Sequence, residues 1–173
     1  MRERERQRRS IFPQRLRLTV LTVHIMVSVG LLGDSAGFLA VAIRLASTDG
    51  VAAAAELVKV LQMFSVVFGI PLSFAALLSG LALGLGTRWG VFRYPWVIAK
   101  LMLIVSVMLV GGLVIGPAMA ATLQGADASG RLIAAALYDV LALATTTGLS
   151  VFKPGGPLRR ARALVASTSS AAR

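Results

Sequence analysis

The sequence predicts an all-α polytopic membrane protein, a bundle of four transmembrane helices with both chain termini in the cytoplasm. The first indication is composition: 57% of the 173 residues are hydrophobic and only 14% are charged, which is more apolar than a soluble domain of this length. The second is that the apolar residues fall into four blocks, each long enough to cross a hydrocarbon core about 30 Å thick as a helix. These blocks, rich in Ala, Leu, Val and Gly, are residues 18–44, 57–85, 96–122 and 132–152.

The third indication is the distribution of positive charge. Fifteen of the 18 Lys and Arg residues lie before the first block, around the second connection or after the fourth block. The three others are Arg44, Lys59 and Arg131. Because cytoplasmic loops carry an excess of Lys and Arg, this distribution places both termini inside and the protein in the cytoplasmic membrane of the cell.

The chain divides into three segments. Residues 1–17 are predicted to form a basic cytoplasmic arm, residues 18–152 the transmembrane domain, and residues 153–173 a basic flexible tail. We expect the lipid bilayer to be the main partner, with anionic lipids attracted to the basic ends. Nucleic-acid binding is not expected, since no aromatic residues are interleaved with the N-terminal arginines. The sequence predicts no particular oligomeric state.

The first span contains two polar residues, Asp34 and His24, for which we expect different roles. A carboxylate such as Asp34, placed near the middle of a span, costs about 2.5–3.5 kcal/mol to insert. Gly30 and Gly37 share its helix face, which predicts that Asp34 faces the bundle rather than lipid. His24 lies about 9 Å above the inner end of the span. We expect it to bond to a neighbouring helix, with a proton relay or a single axial haem ligand as alternatives.

Small residues and interface residues organise the second and third spans. Three glycine pairs, each four residues apart, are typical of helices that pack closely: Gly33 and Gly37, Gly80 and Gly84, and Gly112 and Gly116. Pro71 is expected to bend the second span. The connection between these spans contains Trp89, Arg93 and Trp96, residue types that anchor helices at the membrane–water interface.

The fourth span contains the second intramembrane acid, Asp139. It lies about 20 Å above the inner end of its span, and Asp34 lies about 24 Å above the inner end of the first, so the two acids reach similar depth. One interpretation is structural, with each acid protonated or bonded to a Ser, a Thr or Gln62. The other is a pair that carries protons or binds a cation. The candidate intramembrane polar site comprises Asp34, Asp139, His24, Lys100 and Gln62.

Cysteine and histidine counts limit the cofactors. The chain has no Cys and one His, which excludes disulfides, thiolate metal sites and any two-histidine haem or zinc site within one chain. The methionines are dispersed along the chain, which does not indicate a Cu(I) cluster. We therefore expect no metal and no other cofactor.

Two stretches resemble a known family. Ser79-Gly80-Leu81 with the segment GTRWGVFRYPWVIAKL at 86–101, and Val23-His24 with VGLLG at 29–33, resemble motifs of a family of uncharacterised bacterial four-span membrane proteins over roughly residues 20–150. That family is distantly similar to copper-resistance D proteins and to the haem-dependent membrane protoporphyrinogen oxidase. These proteins share a first-span His, here His24, and a Trp followed four residues later by a Lys, here Trp96 and Lys100. The similarity implies that these three are functional residues.

This chain departs from the family pattern at two positions. Leu31 stands where a Trp is usual, and Ile98 stands where the oxidase-like members have a His. The resemblance therefore implies neither copper handling nor haem oxidation. We expect an accessory or structural membrane protein rather than an enzyme. The first alternative is a small proton-coupled transporter or permease using Asp34 and Asp139, and the second is a haem-binding redox protein using His24.

The departure at Ile98 gives a prediction about haem. The purified protein should lack stoichiometric haem, because one His is present and the second family position is Ile98. The measurement is the visible absorption spectrum of protein expressed with excess haem precursor. A strong Soret band that disappears in His24→Ala would contradict it.

Overall fold

The computed structural model describes residues 13–86 and 95–152, and every regular element in these two ranges is helical. The first half contains two long helical spans joined by a short turn. Helix α1 covers Gln14–Ala46 and forms the first span. The second span consists of helix α2 (Val51–Met63), a π-helical segment (Phe64–Gly69) and helix α3 (Ile70–Gly86).

The second half contains an interrupted span followed by a continuous one. The third span consists of helix α4 (Pro95–Val110), a π-helical segment (Gly111–Ile115) and helix α5 (Gly116–Leu123). The fourth span is helix α6 (Ser129–Phe152). All four spans are long and apolar enough to cross a membrane. The predicted all-α four-helix bundle is thus confirmed.

The helices extend beyond the apolar blocks read from the sequence. Residues 14–17, assigned above to the arm, form the first turn of α1, and α2 begins six residues before position 57. The added turns of α2 are rich in alanine, the best helix former, and carry an exposed ion pair between Lys59 and Glu56 at 2.7 Å. Residues 1–12, 87–94 and 153–173 lie outside the described residues, as do Trp89 and Arg93.

Tight turns connect the spans at the end opposite Gln14 and Phe152. Gly50 and Gly125 adopt positive φ angles of 93° and 86°, a backbone conformation that glycine adopts without steric cost. Asp127 accepts hydrogen bonds from the backbone N–H and the hydroxyl of Ser129, at 3.1 and 2.7 Å, at the start of α6. These bonds stabilise the ionised carboxylate and hold the pKa of Asp127 below its usual value.

The four spans pack as a ring of neighbours. The first packs against the second, the second against the third, the third against the fourth, and the fourth against the first. Short connections between consecutive spans produce this up-down-up-down order. Gln14 and Phe152 therefore lie at the same end of the bundle, here called the proximal end. The end with the connections at 47–50 and 124–128 is called the distal end.

The bundle interior contains two apolar clusters. The distal core joins all four spans, and the proximal core does so nearer the termini. The distal core consists of Phe38, Ala42, Leu45, Val58, Leu61, Ile115, Ala118, Met119, Ala128, Leu132, Ala135 and Ala136. The proximal core consists of Leu31, Ala76, Val107, Ala142 and Leu143. Large apolar side chains such as Met26, Val29 and Leu113 are exposed on the outside of the bundle, as expected of a surface that faces lipid.

Only part of the glycine pattern corresponds to close packing. A Cβ atom added at Gly37 would lie 2.8 Å from Cε1 of Phe64, and one added at Gly80 would lie 3.1 Å from Cε1 of His24. At Gly33 and Gly112 an added Cβ would meet no other described atom within 4 Å. The expectation of helix packing is therefore wrong for these two positions within the described chain.

The remaining glycines of the predicted pairs are Gly116 and Gly84. Gly116 has only a backbone oxygen of its own span near it, that of Gly111 at 3.7 Å from an added Cβ, and Gly84 is half-buried. The glycine pattern therefore identifies the interface between the first and second spans, at Gly37 and Gly80, and no interface of the third span.

Gly37 and Gly33 offer a matched test of this packing. Gly37→Leu should lower the free energy of unfolding by about 1–3 kcal/mol, because the new side chain overlaps the Phe64 ring. Gly33→Leu, one helical turn away, should leave it nearly unchanged. The measurement is unfolding of the purified protein in detergent. Equal effects at the two positions would show that the interface between the first and second spans is not as described.

Candidate functional site

Buried polar side chains form a layer between the two apolar cores. The buried residues are Ser35, Ser73 and Asp139, and Asp34 lies beside them, partly buried. We call these four residues the central layer. Ser35 lies between Leu31 of the proximal core and Phe38 of the distal core, which fixes the level of the layer in the bundle. The sequence analysis identified the two acids but not the two serines.

Both acids of the central layer have an unsatisfied carboxyl oxygen. Oδ1 of Asp34 and Oδ1 of Asp139 are buried and have no hydrogen-bond partner among the described residues. Asp139 is 7% exposed, so its side chain is enclosed by the bundle. A buried polar group without a partner costs about 1–3 kcal/mol. Two such oxygens at one level of a small bundle therefore require a chemical reason.

Asp34 lies against the second span. Its Oδ2 would be 3.3 Å from a Cβ atom placed on Gly69, the last residue of the first π-helical segment. Glycine at position 69 therefore leaves the space that the carboxylate occupies. The expectation that Asp34 points into the bundle agrees with this position.

Asp139 lies in the middle of the buried face of α6. Ala135, Ala136 and Ala142 surround it on that face, and their small side chains offer no hydrogen-bonding groups. Among the described residues, no hydrogen bond or ion pair joins Asp139 to Asp34. The two acids thus share a level without forming a direct pair.

Two irregular helix segments lie at the level of the central layer. Phe64–Gly69 in the second span and Gly111–Ile115 in the third are both π-helical. Each segment is followed two residues later by a proline, Pro71 or Pro117. Proline has no N–H and removes a helical hydrogen bond, and a π turn accommodates the resulting change of register. The sequence analysis predicted a bend at Pro71 and missed the matching feature before Pro117.

A second polar layer lies nearer the proximal end and receives one residue from each span. His24 Nδ1 and Ser79 Oγ are 2.8 Å apart, and the Ser79 hydroxyl donates to the Ala75 carbonyl at 2.6 Å. Ser79 thus joins His24 to the backbone of α3. Lys100 Nζ donates to Ser150 Oγ at 2.6 Å. We call His24, Ser79, Lys100 and Ser150 the proximal layer.

The proximal layer brings two predicted residues together across the bundle. His24 is on the first span and Lys100 on the third, which is diagonal to it, and they lie close enough to interact electrostatically. The expectation that His24 bonds to a neighbouring helix agrees with its contact to Ser79. The two serines were not predicted as partners, because serine spacing alone does not indicate which residue of another helix lies opposite.

Two other predicted positions lie outside both layers. Gln62 is exposed at the end of α2, so its expected role as a partner for the intramembrane acids is wrong. Trp96 is half-buried, one helical turn before Lys100. In residues 13–86 and 95–152 no group of three or more His, Asp or Glu side chains is placed to hold a metal ion.

The function of the protein has to be inferred from the geometry of its two polar layers. No protein-family model, curated protein or solved structure matches the chain. The resemblance described above therefore stays a prediction. Fold and site define a class only: an all-α bundle of four apolar spans that holds two unpartnered acids at one level and a His–Lys layer at another.

Proposed function

We propose that the protein is a small proton-coupled transporter of the cytoplasmic membrane in which Asp34 and Asp139 take up and release protons. The observation that carries this proposal is the buried, unpartnered Oδ1 of each acid. Protonation removes the negative charge of the carboxylate and so lowers the cost of burying an oxygen that has no hydrogen-bond donor. Ionisable residues inside membrane spans commonly form proton relays and ion pathways.

The two apolar cores give the acids the surroundings that coupled transport requires. The proximal core separates the central layer from the side of the termini, and the distal core separates it from the opposite side. The acids are therefore enclosed from both sides in this conformation. Exchange of a proton with one side needs one core to open while the other stays closed.

The π-helical segments provide places where such a movement occurs at low cost. They interrupt the second and third spans at the level of the acids, and transporters commonly place binding sites near the membrane midplane beside interrupted helices. Helix kinks arise at prolines and π turns, and the second and third spans each contain both. The halves of the second and third spans thus pivot at the central layer.

A purely structural or accessory role accounts less well for the central layer. A scaffold gains nothing from two buried carboxyl oxygens without donors, since apolar residues of similar size would fill the same positions at lower cost. The haem alternative is weaker as well, because His24 is held by Ser79 and its ring packs on Gly80. The transporter is therefore the function that the site supports best.

The proposed orientation gives a prediction about topology. Reporters fused after residue 153, or in the 86–95 connection, should be cytoplasmic, and those at 47–55 or 124–130 should be external, because fifteen of 18 cations lie on one side. The measurement compares a reporter active only inside with one active only outside. Labelling of the 86–95 connection from outside intact cells would contradict the orientation.

The proposed chemistry gives a prediction about proton flux. In liposomes with an imposed membrane potential, the purified chain should conduct protons even without a co-substrate, because the proposal assigns proton uptake and release to the two acids themselves; an internal pH dye detects the flux. Asp34→Asn and Asp139→Asn should each reduce the flux at least about tenfold, because the amide cannot carry the proton. Asp127→Asn is the matched control, since it removes an exposed acid outside the spans, and it should conduct like the parent.

Stability measurements separate loss of function from loss of fold. Both central-layer variants should unfold in detergent at the same temperature as the parent or above it, because an amide keeps the size of the side chain without its charge. A parent protein that conducts no more than empty liposomes would refute the proposal. Well-folded asparagine variants that conduct like the parent would refute it equally.

A further inference from the structure

The proximal layer contains a positive charge with no negative partner among residues 13–86 and 95–152. Lys100 Nζ has three N–H donors, and it gives one to Ser150. The ion pair found in the described residues is the one between Lys59 and Glu56 near the distal end. The acids of the described ranges are Asp34, Asp49, Glu56, Asp127 and Asp139, and these lie in the central layer or towards the distal end.

Lys100 is also held in place. The Ser150 hydroxyl that accepts its hydrogen bond donates in turn to the Thr146 carbonyl at 2.9 Å, so the ammonium is bonded to a fixed oxygen of the fourth span. From the opposite corner of the bundle His24, fixed by Ser79, interacts with the same charge electrostatically. Four spans thus position two nitrogen-bearing side chains at one level.

The proximal layer lies near the end of the spans, and the ends of membrane spans lie close to the lipid headgroups. Lys100 lies five residues after Pro95, which is about 7.5 Å along the helix axis from the start of α4. A phosphate group is the anion present in quantity at this depth of a bilayer.

From these observations we propose that the proximal layer binds a phosphate group, with Lys100 as the charged donor and Ser150 as the residue that orients it. Lysine is a compact charge with rotatable donors and is well suited to phosphate oxygens. The phosphate comes from a lipid headgroup or from a free phosphate ion, and both present the same oxygens. This site is separate from the central layer and does not depend on the proposed proton transport.

The test measures ligand binding by the full-length chain in neutral detergent. The lipid probes are phosphatidic acid and a diacylglycerol with the same acyl chains, which lacks the phosphate. Phosphatidic acid should raise the unfolding temperature in a concentration-dependent way, because a ligand that binds only the folded state stabilises it. The diacylglycerol should produce no such rise.

Matched variants assign the binding to the proximal layer. Lys100→Gln should weaken phosphatidic acid binding at least about tenfold, as expected for loss of a charged hydrogen bond. Lys59→Gln removes an exposed cation towards the distal end, where it pairs with Glu56, and should bind like the parent. Equal losses in the two variants, or equal effects of the two lipids on the parent, would overturn the proposal.

Two further arms make the result specific. Inorganic phosphate, compared with chloride at equal ionic strength, identifies the source of the phosphate group. A rise in the unfolding temperature that Lys100→Gln removes supports a free phosphate ion. No rise with inorganic phosphate, together with a rise with phosphatidic acid, supports the lipid headgroup. If Lys100→Gln does not fold, Ser150→Ala keeps the charge but not its orientation, and unchanged binding there overturns the proposal. Asp34→Asn should bind phosphatidic acid like the parent. The proposed phosphate site and the proposed proton transport are therefore tested independently.

Discussion

Hydrocarbon offers no hydrogen-bond partners, and this constraint determines most of the structure. Each polar group in a span must be satisfied within the chain, which is why every regular element in the described ranges is a helix. Hydroxyl groups follow the same rule by donating to carbonyls of their own helix. Thr22 bonds to the Leu18 carbonyl at 3.0 Å and Thr145 to the Leu141 carbonyl at 2.7 Å. Against this background, the two unpartnered aspartate oxygens are exceptions that call for a functional explanation.

The membrane environment also explains why the first two spans pack closely. Helices in a bilayer gain little from excluding apolar surface, so van der Waals contact between close-packed backbones contributes more. Gly37 receives the ring of Phe64, and Gly80 receives the ring of His24. The second contact links packing to the polar interior, because it places His24 beside Ser79. Glycine in this protein therefore determines where side chains with chemical functions lie.

The sequence predicted the architecture well because length and hydropathy act locally. Four apolar blocks require four helices in a membrane, and alternation of direction brings the termini to one end. Contacts between helices are different, because they depend on the rotation of each helix about its axis. Gly33 and Gly37 have the same residue type and share a helix face in the pattern, yet only Gly37 meets another span. For the same reason Gln62 was assigned to the interior but lies outside, and Ser79 and Ser150 were missed as partners.

The separation of the two polar layers explains how both can exist in so small a bundle. His24 and Asp34 are ten residues apart on one helix, about 15 Å along its axis. The proximal core fills that distance with apolar side chains. A lysine beside the acids would form an ion pair and fix them in the charged state. Because Lys100 lies one layer away, the acids have no internal cation, and a proton or an entering cation is left as the means of neutralising them. The same separation leaves Lys100 without an anion among the described residues, which is why we propose a proton for one layer and a phosphate group for the other.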